Sequence, residues 1–176
     1  KHAYGGLGNN IFNPAMVGYA AILLSFPQAL AAWPALGGAE SLTTDTLSGA
    51  TYLSEFRYRE AMTVDEFLIN NPQVIHQQII AALFLLGGLG LIYLKIISWR
   101  IPLTLLITVG VLASVTYDQG STQSLGSAWF HWTTGGTVAA AFFVATDPVT
   151  HPSRHSHQVI FAISIGILLF VIRTQG

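Results

Sequence analysis

"VIHQQIIAALFLLGGLGLIYL", running from Val74 to Leu94, decides what kind of chain this is. A bilayer core is spanned by about 20 mostly apolar helical residues, and this stretch has no charged residue before Lys95. The helices of a soluble all-α bundle carry a polar face. Residues 77–97 show almost none, which argues for a lipid-spanning helix over a soluble core.

Four further stretches qualify or nearly qualify: 14–32 "PAMVGYAAILLSFPQALAA", 101–117 "IPLTLLITVGVLASVTY", 128–146 "AWFHWTTGGTVAAAFFVAT" and 158–172 "QVIFAISIGILLFVI". The expected fold class is an all-α integral membrane protein with about five transmembrane helices. Residues 1–176 form a single membrane domain fragment, and 33–73 is a long polar loop. Composition agrees. The chain is 52% hydrophobic and 9% charged, against roughly 25% charged residues in soluble domains. Seventeen glycines suit membrane helices better than soluble ones.

A net charge of −1 supplies no basic field for nucleic acid. The absence of cysteine excludes disulfides, thiolate chemistry and a cysteine-held iron–sulfur cluster within the chain. It starts at Lys1 with no signal-peptide pattern, so it reads as a fragment or processed piece of a longer membrane protein.

Short basic loops orient the helices. Lys95 and Arg100 bracket the turn between the second and third stretches, and Arg154 lies between the fourth and fifth. The positive-inside rule places both turns on the cytoplasmic side. Strict alternation then puts the 33–73 loop outside, periplasmic in a Gram-negative host, with Arg173 also outside against the rule. Within that loop, 63–73 "TVDEFLINNPQ" reads as a short helix capped by Thr63 and ended by Asn71-Pro72.

Two Asn/Asp-Pro steps, Asn13-Pro14 and Asp147-Pro148, follow similar Gly-containing and Phe-containing runs. Both are natural helix starts. They are either ordinary boundaries or the breaks of an inverted repeat with discontinuous helices. Asp147, a carboxylate at the mouth of a membrane segment, is a candidate for an ion path, with helix capping as the plain alternative.

One polar stretch stands out: 43–56 "TTDTLSGATYLSEF". Small residues around Thr51 leave its hydroxyl open to a bulky donor, and Gly49 permits a sharp turn. Spacing alone leaves a solvated turn and a modification site both open.

"YGGLGNNIFNPAMVGY" (Tyr4–Tyr19) resembles the signature of the D-type component of the Rnf electron-transport complex. That family is similar to the B-type component of the sodium-translocating NADH:quinone reductase. "FFVATDPVT" (Phe142–Thr150) resembles the superfamily's second hallmark. Between them the family carries Asp-Gly-x-Ser-x-Ala-Thr, whose threonine is esterified to the phosphate of FMN. Asp45-Thr46-Leu47-Ser48-Gly49-Ala50-Thr51 matches it except at Thr46, where glycine is usual.

The resemblance implies covalent FMN on Thr51, with Asp45, Ser48, Gly49 and Ala50 forming the motif around it. It also implies that Asn10, Asn13 and the Asp147 segment line the broken-helix centre of the membrane core. It leaves room for riboflavin or a second flavin held with other subunits. It also implies a flavin transferase acting on the outer face, partner subunits of the A, B, C, E and G type, and membrane lipid as the surroundings. The location implied is the bacterial inner membrane, with the Thr51 loop periplasmic and further helices beyond both ends of the chain. The activity implied is that of a subunit, not catalytic alone, of an ion-translocating oxidoreductase. A quinone-reductase component of the B type and a flavin-free inverted-repeat channel of the urea-channel type remain the alternatives.

Arg57 and Arg59 are either partners of the FMN phosphate or solvated loop charges. "GGLG" at Gly5–Gly8 lacks the strand of a nucleotide-binding motif. His151, His155 and His157 have a metal-compatible spacing but read as solvated. His131, beside Trp129 and Trp132, reads as an interfacial anchor.

Overall fold

A computed structural model describes residues 12–28, 52–59, 62–71 and 74–175. Helix α1 (Pro14–Ser25) starts where the Asn13 side chain accepts from the N–H groups of Ala15 (2.9 Å) and Met16 (3.3 Å). Pro14 occupies the first helical position, where its missing N–H costs nothing.

Two short helices, α2 (Tyr52–Arg57) and α3 (Val64–Asn70), form the described part of the polar segment. A reciprocal box starts α3: Thr63 Oγ1 accepts from the Glu66 N–H, and Glu66 Oε2 accepts from the Thr63 N–H. Asn71 ends the helix, as its sequence predicts.

The long helices are α4 (Val74–Tyr93), α5 (Arg100–Thr116) and α8 (His155–Gln175). Between α5 and α8 lie α6 (Ala128–Thr133) and α7 (Thr137–Ala139), the latter running straight into a π-helical turn over Ala140–Val144. Helix α5 is the axis, packed along α8 and against α6 and the π turn. Ile101, Leu105 and Val109 of α5 meet Val138, Ala141, Phe142, Ala145 and Ala162 in the main core.

The outward faces are apolar. Leu83, Leu86, Val115, Ile160, Leu168 and Ile172 are all exposed, and Val74 and Gly88 are the only buried residues of α4. Contiguous apolar surface of this extent needs a non-aqueous neighbour. Hydroxyls on the helices bond back to their own backbone: Thr108 to Thr104 O, Ser114 to Gly110 O, Ser164 to Ile160 O. Such self-satisfaction is what a medium without water demands. This is the surface of a membrane protein.

Helices α4 and α8 are long and apolar enough to cross a bilayer, while α1 and α5 are shorter apolar helices. The sequence reading changes in two places. The fourth stretch is not one helix, since it breaks between Thr133 and Thr137. Asp147-Pro148 does not start a helix: it lies in a turn after the π segment, and the next helix begins at His155. The two Asn/Asp-Pro steps therefore play different roles, and their likeness does not extend to structure. Helix α8 also outruns its apolar run of 158–172 at both ends.

The bundle has two distinct ends. Lys95, Arg100 and Arg154 share one of them, where Ser98 Oγ donates to Gln158 Oε1 at 3.2 Å. Helices α2 and α3, the 117–127 connection and Arg173 gather at the other. There the Val64 N–H donates to Gly120 O at 3.1 Å.

Candidate functional site

The break in the fourth stretch creates a chemical demand. Helix α6, capped by Ser127 Oγ, stops at Thr134, and Gly135 and Gly136 follow at φ +61° and +73°. Glycine enters that left-handed region without a Cβ penalty. Stopping a helix strands its last carbonyls, and in a membrane interior they must find donors within the protein. Thr134 Oγ1 donates to Phe130 O and Thr137 Oγ1 to His131 O, each at 2.6 Å. Arg173, from the last turn of α8, supplies the rest: Nη1 donates to His131 O at 2.7 Å and Nη2 to Thr134 O at 2.6 Å. Nη1 also donates to Thr137 Oγ1. A cation is favoured at a helix C-terminus, so the arginine that breaks the loop-charge rule is a helix cap.

A second arginine performs a similar task nearby. Arg59 is 8% exposed, and its guanidinium donates to Met62 O (3.1 Å), Phe56 O (2.9 Å), Thr122 O (2.9 Å) and Ser124 O (2.5 Å). It lies 4.1 Å from the Phe56 ring centroid. Burial pulls its pKa down from the ordinary arginine value. Arg59 is thus no solvated loop charge; it clamps the 121–124 turn to α2. Phe56, Phe67 and Phe130 pack beside it, with Phe56 and Phe130 ring centroids 4.2 Å apart.

Between these two clamps lies a cleft of about 180 Å³. Its walls include Leu53, Phe56, Arg57, Arg59, His131 and Arg173, and no carboxylate is among the described residues that line it. Small-molecule sites usually measure about 300–1,000 Å³, so this one is too small to enclose a whole ligand of that class. Gly135 also borders it: a Cβ there would collide with the Arg173 guanidinium and with Leu53.

Two buried polar atoms in the wall have no hydrogen-bond partner among the described residues, His131 Nδ1 and Arg173 Nε. His131 Nε2 lies 2.9 Å from Leu125 O. A carbonyl only accepts, so Nε2 carries the proton, and in the neutral ring Nδ1 is a bare acceptor. His131 is 2% exposed, which corrects its reading as an interfacial anchor. Trp132 also turns inward, its Nε1–H donating to Leu106 O at 3.0 Å, whereas Trp129 stays exposed.

Asp45, Ser48, Gly49, Ala50 and Thr51 lie outside the described residues, as does Gly5–Gly8. The described chain resumes at Tyr52, so Thr51 directly precedes the helix that forms one wall of the cleft. Asn13 caps α1. Asp147 sits half-buried in its turn, where Oδ2 accepts from Thr150 Oγ1 at 3.3 Å. Neither is among the described residues that line the cleft, and Asp147 lies before the start of α8, whose last turn carries Arg173. His151 Nδ1 approaches Pro152 O at 2.9 Å. Among the described residues no three His, Asp or Glu side chains gather to hold a metal. The site residues that the motif reading missed are Arg173 and His131. Their signal was an arginine at the end of one apolar stretch and a Gly pair inside another, since membrane-embedded charge is costly.

A sequence profile of the NQR2, RnfD, RnfE family matches residues 1–176. Among curated relatives, the D component of the ion-translocating oxidoreductase complex of Ectopseudomonas mendocina is 35% identical over 192 residues, covering 100% of this chain and 56% of that protein. Its namesake in Pseudomonas aeruginosa is 36% identical over 193 residues, with 100% and 56% covered. The Buchnera aphidicola protein of the same name is 37% identical over 210 residues, with 100% and 60% covered. The chain thus spans a little over half the length of these relatives.

Proposed function

This chain belongs to the NQR2, RnfD, RnfE family, and from that premise we propose that it is the flavin-bearing part of a membrane subunit in an ion-translocating electron-transport complex, with FMN esterified through its phosphate to Thr51. One observation carries the site assignment. The residue after Thr51 opens α2, and α2 delivers Leu53, Phe56 and Arg57 to a cleft that Arg59 and Arg173 make cationic. The names of the relatives favour the D type over the quinone-reductase B type.

The residues present fit such a group. Thr51 offers the hydroxyl that anchors the phosphate. Arg57 and Arg59 set positive charge beside an incoming anion, and Leu53, Phe56 and Phe130 give the cleft an apolar side. Arg59, held by four carbonyls, keeps that wall rigid. When bound, the flavin supplies one- and two-electron transfer, while the protein fixes its place and tunes its electronics.

With no cysteine in the chain, iron–sulfur centres reside on other subunits, of the A, B, C, E and G type, together with the nicotinamide site. Electrons pass from a carrier such as ferredoxin or NADH, coupled to sodium or proton movement across the inner membrane. The end bearing Lys95, Arg100 and Arg154 faces the cytoplasm. The Thr51 end faces the periplasm, where the flavin transferase works.

The test uses the full-length protein co-expressed with its transferase, read by flavin fluorescence in a denaturing gel and by intact mass. Wild type is expected to fluoresce with the added mass of FMN, and Thr51→Ala to show neither. A fluorescent band that survives in Thr51→Ala removes the role of Thr51. A dark wild-type band sinks the flavoprotein reading.

A further inference from the structure

We propose that His131 and Arg173 are the protein's partners for the imide edge of the flavin ring, and that the Arg173 charge raises the ring's redox potential. The inference rests on the reading of Thr51 as the flavin anchor.

Reach comes first. Tyr52, the residue after Thr51, opens α2, and Phe56 on the cleft wall lies four positions further on, roughly 6 Å of helical rise. A phosphate and ribityl chain bridge that span, so a flavin fixed at Thr51 brings its ring to the cleft.

Chemistry comes second. The imide edge of the ring presents an N3–H donor flanked by carbonyl acceptors. The cleft wall holds one orphan of each kind: Arg173 Nε–H, a donor, and His131 Nδ1, an acceptor in the neutral ring. Buried polar atoms without partners are uncommon and ask for an explanation. Both atoms are covered here, so the ring seats by displacing a lining side chain, exchanging two unmet hydrogen bonds for two made ones. The small cleft suits an edge rather than a whole cofactor.

Charge comes third. Both Nη atoms of Arg173 are committed to His131 O, Thr134 O and Thr137 Oγ1. Capping the broken helix therefore leaves Nε unused. The guanidinium is held by backbone carbonyls and hydroxyls, and none of the described residues lining the cleft is a carboxylate that would cancel its charge. In a low-dielectric setting such a charge acts strongly. It favours the negative charge that the imide side of the ring gains on reduction.

The experiment uses the full-length subunit in its complex, co-expressed with the transferase. Three variants are compared with wild type: His131→Gln, Arg173→Lys and Arg173→Met. Gln keeps a donor toward Leu125 O and replaces the Nδ1 acceptor with an amide oxygen at a different position. Gel fluorescence reports attachment, and redox titration in the native complex reports the midpoint potential and the visible spectrum of the Thr51 flavin. All three variants are expected to keep the covalent flavin. Arg173→Met should lower the potential, Arg173→Lys should recover most of it, and His131→Gln should shift the visible band. An unchanged potential in folded Arg173→Met, or an unchanged band in His131→Gln, overturns the proposal. If Arg173→Met does not fold, His131→Gln decides alone, because it leaves the carbonyl clamp intact. A dark wild-type gel band would instead defeat the parent reading.

Discussion

Gly88 of α4 faces the ring of Phe142 in the π-helical turn, and the two fit only because Gly88 has no side chain: a Cβ there would collide with the ring. Phe142 is 4% exposed and belongs to the main core, so its ring has no room to retreat. Overpacking of this kind costs about 1–3 kcal/mol. Gly88→Ala should lower the unfolding midpoint in detergent accordingly. Gly88→Ala combined with Phe142→Ala should lose less than the sum of the single losses, because contacting positions couple.

Gly135 and Gly136 both sit at positive φ, yet alanine should not cost the same at each. A Cβ on Gly136 meets nothing within 4 Å, whereas one on Gly135 runs into Arg173 and Leu53. Gly136→Ala should carry only the backbone penalty, about 1–2 kcal/mol. Gly135→Ala should be clearly worse and should loosen α8 from the break. Thermal unfolding of the pair checks the order, and equal losses would contradict the geometry.

Arg59→Met should strand the carbonyls of Phe56, Met62, Thr122 and Ser124. Buried groups left unpaired cost about 1–3 kcal/mol each, so the loss should reach roughly 3 kcal/mol or more. Arg59→Lys should recover little, since an ammonium lacks the planar fork. Limited proteolysis of the 117–127 connection is the direct readout, with faster cleavage expected in both variants.

The box at the start of α3 gives a pH dependence. Hydrogen bonds from the Thr63 backbone and hydroxyl hold the Glu66 carboxyl below the usual glutamate range. A depressed folded pKa contributes stability above the unfolded pKa, and that contribution is lost as pH falls through the folded one. Helix α3 should therefore loosen in acid, and Glu66→Gln should flatten that response. Thr63→Ala should cost about 1 kcal/mol. Hydrogen exchange at Glu66 and Phe67, followed against pH, measures both effects.

Much of this was legible in the residues themselves. Apolar runs longer than a soluble helix tolerates marked the long helices α4 and α8, and Thr63, Asn71 and Asn13-Pro14 marked helix ends through local hydrogen bonding. Asp147-Pro148 misled, because a cap motif states what a backbone can do, while the π turn before it sends the chain into a turn instead. Trp132 and His131 misled for a similar reason. An aromatic near a membrane end suits an interface by composition, but the Leu106 carbonyl of a neighbouring helix has a second lone pair and claims the indole.

The sequence by itself determined the medium, the helical class and the family, because hydropathy, capping and motif order are properties of neighbours along the chain. Only the tertiary structure decided that Arg173 closes a broken helix more than thirty positions away, that Arg59 is a clamp, and that both border one cleft with His131. Those facts depend on which carbonyls lose their helical donors and which side chain, arriving from a distant segment, is near enough to replace them. No local pattern records that distance.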